Sequence, residues 1–455
     1  MSTRVHEGAT LEITIDGVDD EGRGRATLAD ALGPADIAVR GALPGDIVRC
    51  TIDRVWSARG LAQARATSWA TKSALHIARA CPHAAPCPGC PLEGVDDGFA
   101  LELKRARVVG ALQDVGLKDA SALVDDVVPS MAPRQKVKLT AGGRAGALRL
   151  GLFVPHSHVL VGAEECPHMH PVIADALAVL LEALDATGLA PATHDARGVK
   201  AVIARAFRGP SLADDDVVVG AVVVAGAPVS AEAWRTLSAC VDGAPLASLA
   251  VRIDAAPGNS LVGGALACLV GPQVLPPLEG GPDASVDAFC QTDPELARAV
   301  YTRAARFVTE RAAADATFVD AYAGAGGFTR ALLASAAGAH VIAIERAAEG
   351  VRTLRSLPRA RVEVIEATVE DALPSLQGRA LAGVIVDPPK GGLKDAASPL
   401  ARLGAQRLVL VACDPDAGAR DVKVLVDAGY RIVAVEPYDL FPATPEIEVV
   451  LLLER

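Results

Sequence analysis

Cys413 ends the apolar run "LVLVAC", and Asp414 and Pro415 stop that run at once. A lone cysteine in a buried strand is usually a small hydrophobe. At the end of a strand it has a second use, because ligands of parallel α/β sheets gather beyond the carboxyl ends of the strands. A thiolate there can add to an electron-poor carbon. One methyl-transfer problem needs such an addition. Carbon 5 of uracil is too weak a nucleophile to attack a sulfonium, but addition of a thiolate at carbon 6 makes an enolate whose carbon 5 can.

Two other stretches could hold the remaining parts of such a reaction. In "FVDAYAGAGGFTRALL" a strand runs to Asp320, and Gly324, Gly326 and Gly327 make a turn into a helix near Phe328. Glycines let backbone approach a ligand closely, so a side chain at Gly326 is expected to fill space needed by the methionine part of a cofactor. Glu345 ends the next strand, "VIAIE", where a carboxylate can accept hydrogen bonds from ribose hydroxyls. The turn is not G-x-G-x-x-G, which favours S-adenosylmethionine over a dinucleotide. A tight turn plus a solvated glutamate is the plainer alternative. In "AGVIVDPPKGG" a strand ends at Asp387, and two prolines remove backbone donors, so carbonyls there can face a pocket. A rigid loop after a strand is the alternative.

A third stretch has metal-ligand chemistry. "CPHAAPCPGC" places Cys81, Cys87 and Cys90 close together, and "GAEECPHMHP" offers Cys166 as a fourth thiol. Three close thiols and a distant fourth suit a 4Fe–4S cluster. Zinc on the same thiols, with His83 or His168 able to substitute, competes with that reading. Cys50, Cys240, Cys268 and Cys290 read as packing residues.

These residues need a scaffold. From Thr317 to the end, seven apolar runs alternate with helical segments: "TFVDAYAG", "HVIAIE", "RVEVIEA", "AGVIVDPP", "RLVLVAC", "YRIVAVEP" and "IEVVLLLE". The alternation predicts a doubly wound α/β sheet. The last two runs are joined by "YDLFPATPE", too short for a crossover helix, so the final strand is antiparallel. The first 70 residues are short apolar runs split by turn signals such as "DDEGRG" and "ALPGD", the rhythm of a small β-barrel. A mixed region follows, ending in the Pro/Gly-rich linker "LVGPQVLPPLEGGPDAS". The expected division is therefore 1–70, 71–287 and 288–455.

Composition bounds the rest. The chain has 455 residues, is 51% hydrophobic and only 3% aromatic, and carries a net charge of -11. That charge argues against a general nucleic-acid coat but allows a local basic groove. Residues 101–150 hold nine Lys/Arg against five Asp/Glu, including Lys104, Arg105, Arg107, Arg134, Lys136 and Lys138. A basic face there fits phosphate contacts. For the first three a solvated helix face is the alternative. No signal-peptide pattern and no long apolar run is present, so a cytoplasmic protein without a membrane partner is expected, with its cysteines reduced or metal-bound.

"FVDAYAGAGGF", "VIVDPPKGG", "VACDPDAGARDV" and "DLFPATPEIEVVLLLE" resemble, in order, the motifs of class I S-adenosylmethionine-dependent RNA 5-methyluridine methyltransferases. "IDGVDDEGRGRA" and "VRGALPGDIV" are similar to the TRAM domain at the start of that family, an OB-like barrel, and "FCQTDPELARAVY" to the segment before its cofactor domain. The resemblance spans the whole chain. It implies a Rossmann-like methyltransferase domain with a mixed seven-stranded sheet, an N-terminal OB-like RNA-binding barrel and a mixed central domain. It also implies that Cys413 is the nucleophile and Glu448 the base that removes the carbon 5 proton. Gln291, Tyr322, Gly324, Gly326 and Glu345 would meet the cofactor, and Asp387 would sit between cofactor and uracil. Cys81, Cys87, Cys90 and Cys166 resemble the iron–sulfur branch, which acts on large-subunit ribosomal RNA. A monomer acting on looped RNA is expected.

Ala412, Asp414, Ala417, Lys390, Asp293 and Glu446 depart from the usual Ser, Asn, Thr, Arg, Asn and His of those motifs. The family's cofactor-binding Asp after the third strand is not evident, and Thr368 sits near its place. The charge of Asp414 beside the thiol is expected to raise its pKa. Two other readings stay open: a methyltransferase for another base or position, and an RNA-binding protein without transfer.

Overall fold

The computed structural model describes the chain apart from residues 1–2, 29–30, 33–34, 85, 131, 156, 193–196, 210–216, 242–244, 257–264, 279–283 and 287–290. The expected boundary at residue 287, Phe289, Cys290 and part of the Pro/Gly-rich linker fall outside the described residues. The chain divides into two compact units. One holds residues 1–107 together with Phe441–Glu446; the other holds Val108–Leu440 and Ile447–Arg455.

In the first unit, a six-stranded sheet runs in the order Thr10–Thr14, Ile47–Trp56, Leu61–Thr71, Asp36–Arg40, Gly24–Thr27 and Gly17–Val18. Its strands alternate. Ile13, Ile37, Val39, Val48, Cys50, Ile52, Ala62 and Ala64 turn into one core, while Arg49 and Arg65 stay exposed. This is the expected OB-like element, in the form of a half-barrel. The helix Asp97–Asp114 begins in this unit.

The second unit holds two large sheets. The central one has seven strands, and runs such as Val217–Ala225, "VVVGAVVVA", are buried on both faces. Helix Pro171–Ala186 packs its Ile173, Leu177, Leu180 and Leu184 into one of its cores.

The other sheet begins after helix α1, Pro294–Thr309, which is capped by Asp293 and opened by Pro294. Its elements are β1 Thr317–Ala321, α2 Gly327–Ser335, β2 His340–Glu345, α3 Ala348–Arg355, β3 Val362–Glu366, α4 Val369–Leu376, β4 Gly383–Val386, α5 Ala397–Arg402, β5 Arg407–Ala412, α6 Pro415–Asp427, β6 Arg431–Asp439 and β7 Glu448–Glu454. The strand order is β3-β2-β1-β4-β5-β7-β6. β1 to β5 are parallel neighbours, and β7 runs antiparallel to both β5 and β6, as the short connector requires. The structure adds a two-residue strand, Val128–Pro129, to the outer edge of β6. The strand order reverses between β1 and β4, and at such a switch point a crevice opens beyond the carboxyl ends.

Candidate active site

The glycine turn follows β1. Tyr322, Gly324 and Gly326 take positive φ values of 63°, 54° and 87°. A bulky residue rarely adopts this conformation, so the surrounding packing must hold Tyr322 there. Its hydroxyl donates to Glu370 Oε1 at 3.2 Å. Glu345, at the end of β2, fastens the turn from below. Its Oε2 accepts the Gly324 amide at 2.8 Å, and its Oε1 accepts the Arg346 and Ala347 amides at 2.7 and 2.6 Å. A carboxylate has about four acceptor positions, so roughly one is left for a ribose hydroxyl.

The glycines divide into two kinds. A Cβ on Gly324 would meet nothing within 4 Å. A Cβ on Gly326 would lie 2.8 Å from Leu354 Cδ2. Gly326 is therefore needed for packing against α3, and Gly324 faces the open space. Gly350, unmarked in the sequence, is needed too, because its Cβ would come within 2.5 Å of the Gly324 carbonyl oxygen.

Asp320, within β1, is fully buried. Its Oδ2 accepts the Thr329 hydroxyl at 2.5 Å, and its Oδ1 has no partner among the described residues. Burial raises its pKa to about 7. Asp387 follows β4, and its amide donates to the Ala321 carbonyl, which brings it beside the turn. Burial, and then the charge of Asp320, push it up to about 7 as well.

Cys413 and Glu448 meet through register. Ala412 pairs with Val449 across β5 and β7, and Tyr438 pairs with Glu448 across β6 and β7. Glu448 therefore opens β7 on the edge where β5 ends, next to Cys413. It is 4% exposed, and burial followed by Asp387 raises its pKa well above the carboxylate range. The Cys413 thiol is pushed up to about 11 by burial, then by Glu448 and Asp387, while Lys390 pulls it down. The direction agrees with expectation, but Asp414 is not among the causes. Its Oδ1 instead accepts the Asp416 and Ala417 amides at 3.0 and 3.1 Å and caps α6.

The loop that carries Lys390 is fixed to the helix that follows Cys413. Asp421 Oδ2 on α6 accepts the Leu393 amide at 2.7 Å, and a Cβ on Gly392 would sit 2.5 Å from that oxygen. Sequence reasoning missed Asp421, although it stands in the quoted "AGARDV". Gln291 is half-buried, three residues before α1. Asp293 caps α1 through the Leu296 amide at 3.0 Å and accepts the Ser130 hydroxyl at 2.6 Å.

The basic helix face is only partly as expected. Lys104 is 2% exposed, and its Nζ donates to the Phe441 carbonyl at 3.1 Å. Arg107 Nη1 donates to the Pro445 carbonyl at 3.1 Å. Neither a phosphate contact nor a solvated face describes Lys104. Both side chains serve the connector between β6 and β7. Lys138 is exposed, with Arg134 and Lys136 half-buried.

Cys81, Cys87 and Cys90 lie half-buried in a loop of the first unit, where the Gly89 amide donates to Cys87 Sγ at 3.4 Å. Cys166 is in the second unit, packed against the core of the central sheet. None of the described cysteines forms a disulfide. Among the described residues no three His, Cys, Asp or Glu side chains are arranged to hold a metal ion. Cys50 is fully buried in the half-barrel core, and Cys240 and Cys268 pack against the central core.

No family model matches the chain. It is 28% identical to a protein of Gloeobacter violaceus called an uncharacterized RNA methyltransferase, over 99% of this chain and 97% of that one. It is 26% identical to the 23S rRNA (uracil(1939)-C(5))-methyltransferase RlmD of Alkalilimnicola ehrlichii, over 98% of this chain and 96% of that one. Among solved structures it resembles the tRNA (uracil-54, C5)-methyltransferase of Pyrococcus abyssi in complex with S-adenosyl-L-homocysteine. The TM-score is 0.72 at 21% identity, covering 97% of this chain and 100% of that one. The chain therefore has the Rossmann-like methyltransferase fold with an N-terminal half-barrel that its sequence led one to expect.

Proposed function

We propose that this protein is an enzyme that transfers a methyl group from S-adenosylmethionine to carbon 5 of a uridine in RNA, through a covalent adduct at Cys413. The observation that carries the reading is the placement of Cys413 and Glu448 on neighbouring strands, at the same sheet edge as the glycine turn. When bound, the cofactor supplies an electrophilic methyl group. Gly324, the free acceptor position of Glu345, Tyr322 and Gln291 would hold it, with Asp387 between it and the base. Cys413 gives its proton to solvent, and the thiolate adds through sulfur to carbon 6 of a uracil turned out of its stack. Carbon 5 gains the methyl group but keeps its proton. Glu448, whose raised pKa makes it a stronger base, takes that proton, the ring double bond re-forms and the sulfur leaves. The two residues therefore fail differently.

Cys413→Ala should give neither adduct nor product. Glu448→Gln should form the adduct and release it slowly, leaving a protein–RNA complex that survives denaturing electrophoresis. RNA containing 5-fluorouracil should trap the unaltered protein too, since fluorine is not removed as a proton is. Methylation that persists in Cys413→Ala would end the nucleophile assignment. If neither experiment traps a complex while RNA still binds, an RNA-binding protein without transfer is the better reading.

Large-subunit ribosomal RNA is the substrate we favour, supported by the likeness to the Alkalilimnicola ehrlichii protein along the full chain. Nucleoside mass spectrometry of ribosomal and transfer RNA from a deletion strain would decide between them. In this reading residues 1–70 are a TRAM-like RNA-binding domain, 71–287 a central domain and 288–455 the catalytic domain. A 4Fe–4S cluster on Cys81, Cys87, Cys90 and Cys166 is supported by their spacing and by the resemblance to the iron–sulfur branch, and it enters no chemical step. Iron and sulfide in near-equal amounts after anaerobic purification would support it, and stoichiometric zinc would replace it.

A further inference from the structure

The connector between β6 and β7 is held more firmly than its role as a turn requires. Phe441–Glu446 belongs to the first compact unit, although Glu448, two residues beyond its end, opens β7. Three donors hold its backbone. Lys104 Nζ donates to the Phe441 carbonyl at 3.1 Å, Arg107 Nη1 to the Pro445 carbonyl at 3.1 Å, and the Leu92 amide to the Ala443 carbonyl at 3.0 Å. Each comes from residues more than three hundred positions earlier in the chain.

The connector is also rigid in itself. The Thr444 hydroxyl donates to the Phe441 carbonyl at 2.7 Å, and the Glu446 amide donates to Thr444 Oγ1 at 3.3 Å. Ala443 takes φ 59°, a conformation that alanine adopts only when its neighbours impose it. Leu92 is anchored too, 3% exposed in a small core with Leu43 and Val95.

A buried ammonium is costly unless it is hydrogen-bonded, and Lys104 makes such a bond to the connector. We propose that Lys104 and Arg107 are positioning residues for Glu448. They fix the connector that delivers this carboxylate to the strand edge, so that it reaches the carbon 5 proton of the adduct. The inference rests on Glu448 as the base. It makes the proton-removal step depend on residues that touch neither RNA base nor cofactor. Cysteine addition is left alone, because Cys413 is set by β5 and α6.

The test uses the full chain and compares Lys104→Met and Arg107→Leu with Glu448→Gln. Each positioning variant should accumulate the covalent protein–RNA complex on denaturing gels, as Glu448→Gln does. Turnover should fall by up to about 100-fold, the scale of a misplaced catalytic group, with the rate of adduct formation unchanged. Combined with Glu448→Gln, neither variant should lower turnover further, because both act through the same carboxylate. A merely structural role would slow adduct formation and turnover together. If Lys104→Met does not fold, Arg107→Leu carries the test alone. Should Glu448→Gln trap nothing, the base assignment and this inference fall together. Should Glu448→Gln trap the complex while the folded positioning variants do not, or should their losses add to its own, this inference alone is overturned.

Discussion

Cys413 is a thiol surrounded by acids, and its reactivity should report that surrounding directly. With its pKa near 11, only a small fraction is thiolate at neutral pH. Its alkylation by iodoacetamide should rise about tenfold per pH unit from pH 7 and level off only near the thiol's own value. Removing a negative neighbour lowers the pKa, and removing a positive one raises it. Glu448→Gln should therefore speed alkylation at pH 8, and Lys390→Ala should slow it. Mass spectrometry of the Cys413 peptide against time measures both. An unchanged rate in both variants would mean that burial alone sets the thiol. Asp414 was the natural suspect in the sequence because it is adjacent. Its carboxylate instead turns to the two amides that open α6, and adjacency in sequence does not say where a side chain points.

The elements of the catalytic sheet were legible because their signals are local. Seven apolar runs bounded by turns gave seven strands, and the short connector forced the antiparallel return. The glycine turn was legible as a turn, but the work of each glycine was not. That depends on α3, whose Leu354 approaches Gly326 and whose Gly350 approaches Gly324. The difference can be measured. Gly326→Val combines φ 87° with a 2.8 Å clash and should lower the melting temperature through a loss of roughly 1–3 kcal/mol. Gly324→Ala, in open space at φ 54°, should cost only about 1–2 kcal/mol of backbone strain, with its larger effect on cofactor affinity by calorimetry. A Gly326→Val protein that melts normally would contradict the packing described. The positions of Lys104 and Arg107 were not legible at all. A lysine in a helix is usually solvated, and nothing within its own helix marks a partner 337 residues away.

At the scale of the whole molecule, no helix among the described residues is long and apolar enough to cross a membrane. The first compact unit is assembled from two distant parts of the chain. Replacing Phe441–Glu446 by six Gly and Ser residues should loosen residues 1–107 as well as the return to β7. Trp56 and Trp69 lie in that unit, and Trp234 lies in the other. In a Trp234→Phe background, the unfolding free energy read by fluorescence in urea should fall by roughly 1–3 kcal/mol if Lys104 loses its buried acceptor. An unchanged midpoint would mean that residues 1–107 are complete without the connector.

That composition also imposes a timetable on synthesis. Lys104 leaves the ribosome long before Phe441 is made, 337 residues later. At about 5–20 residues per second this is a wait of roughly twenty seconds to a minute. During that interval residues 1–107 wait for the segment that completes their compact unit, which is made only after the first six strands of the catalytic sheet.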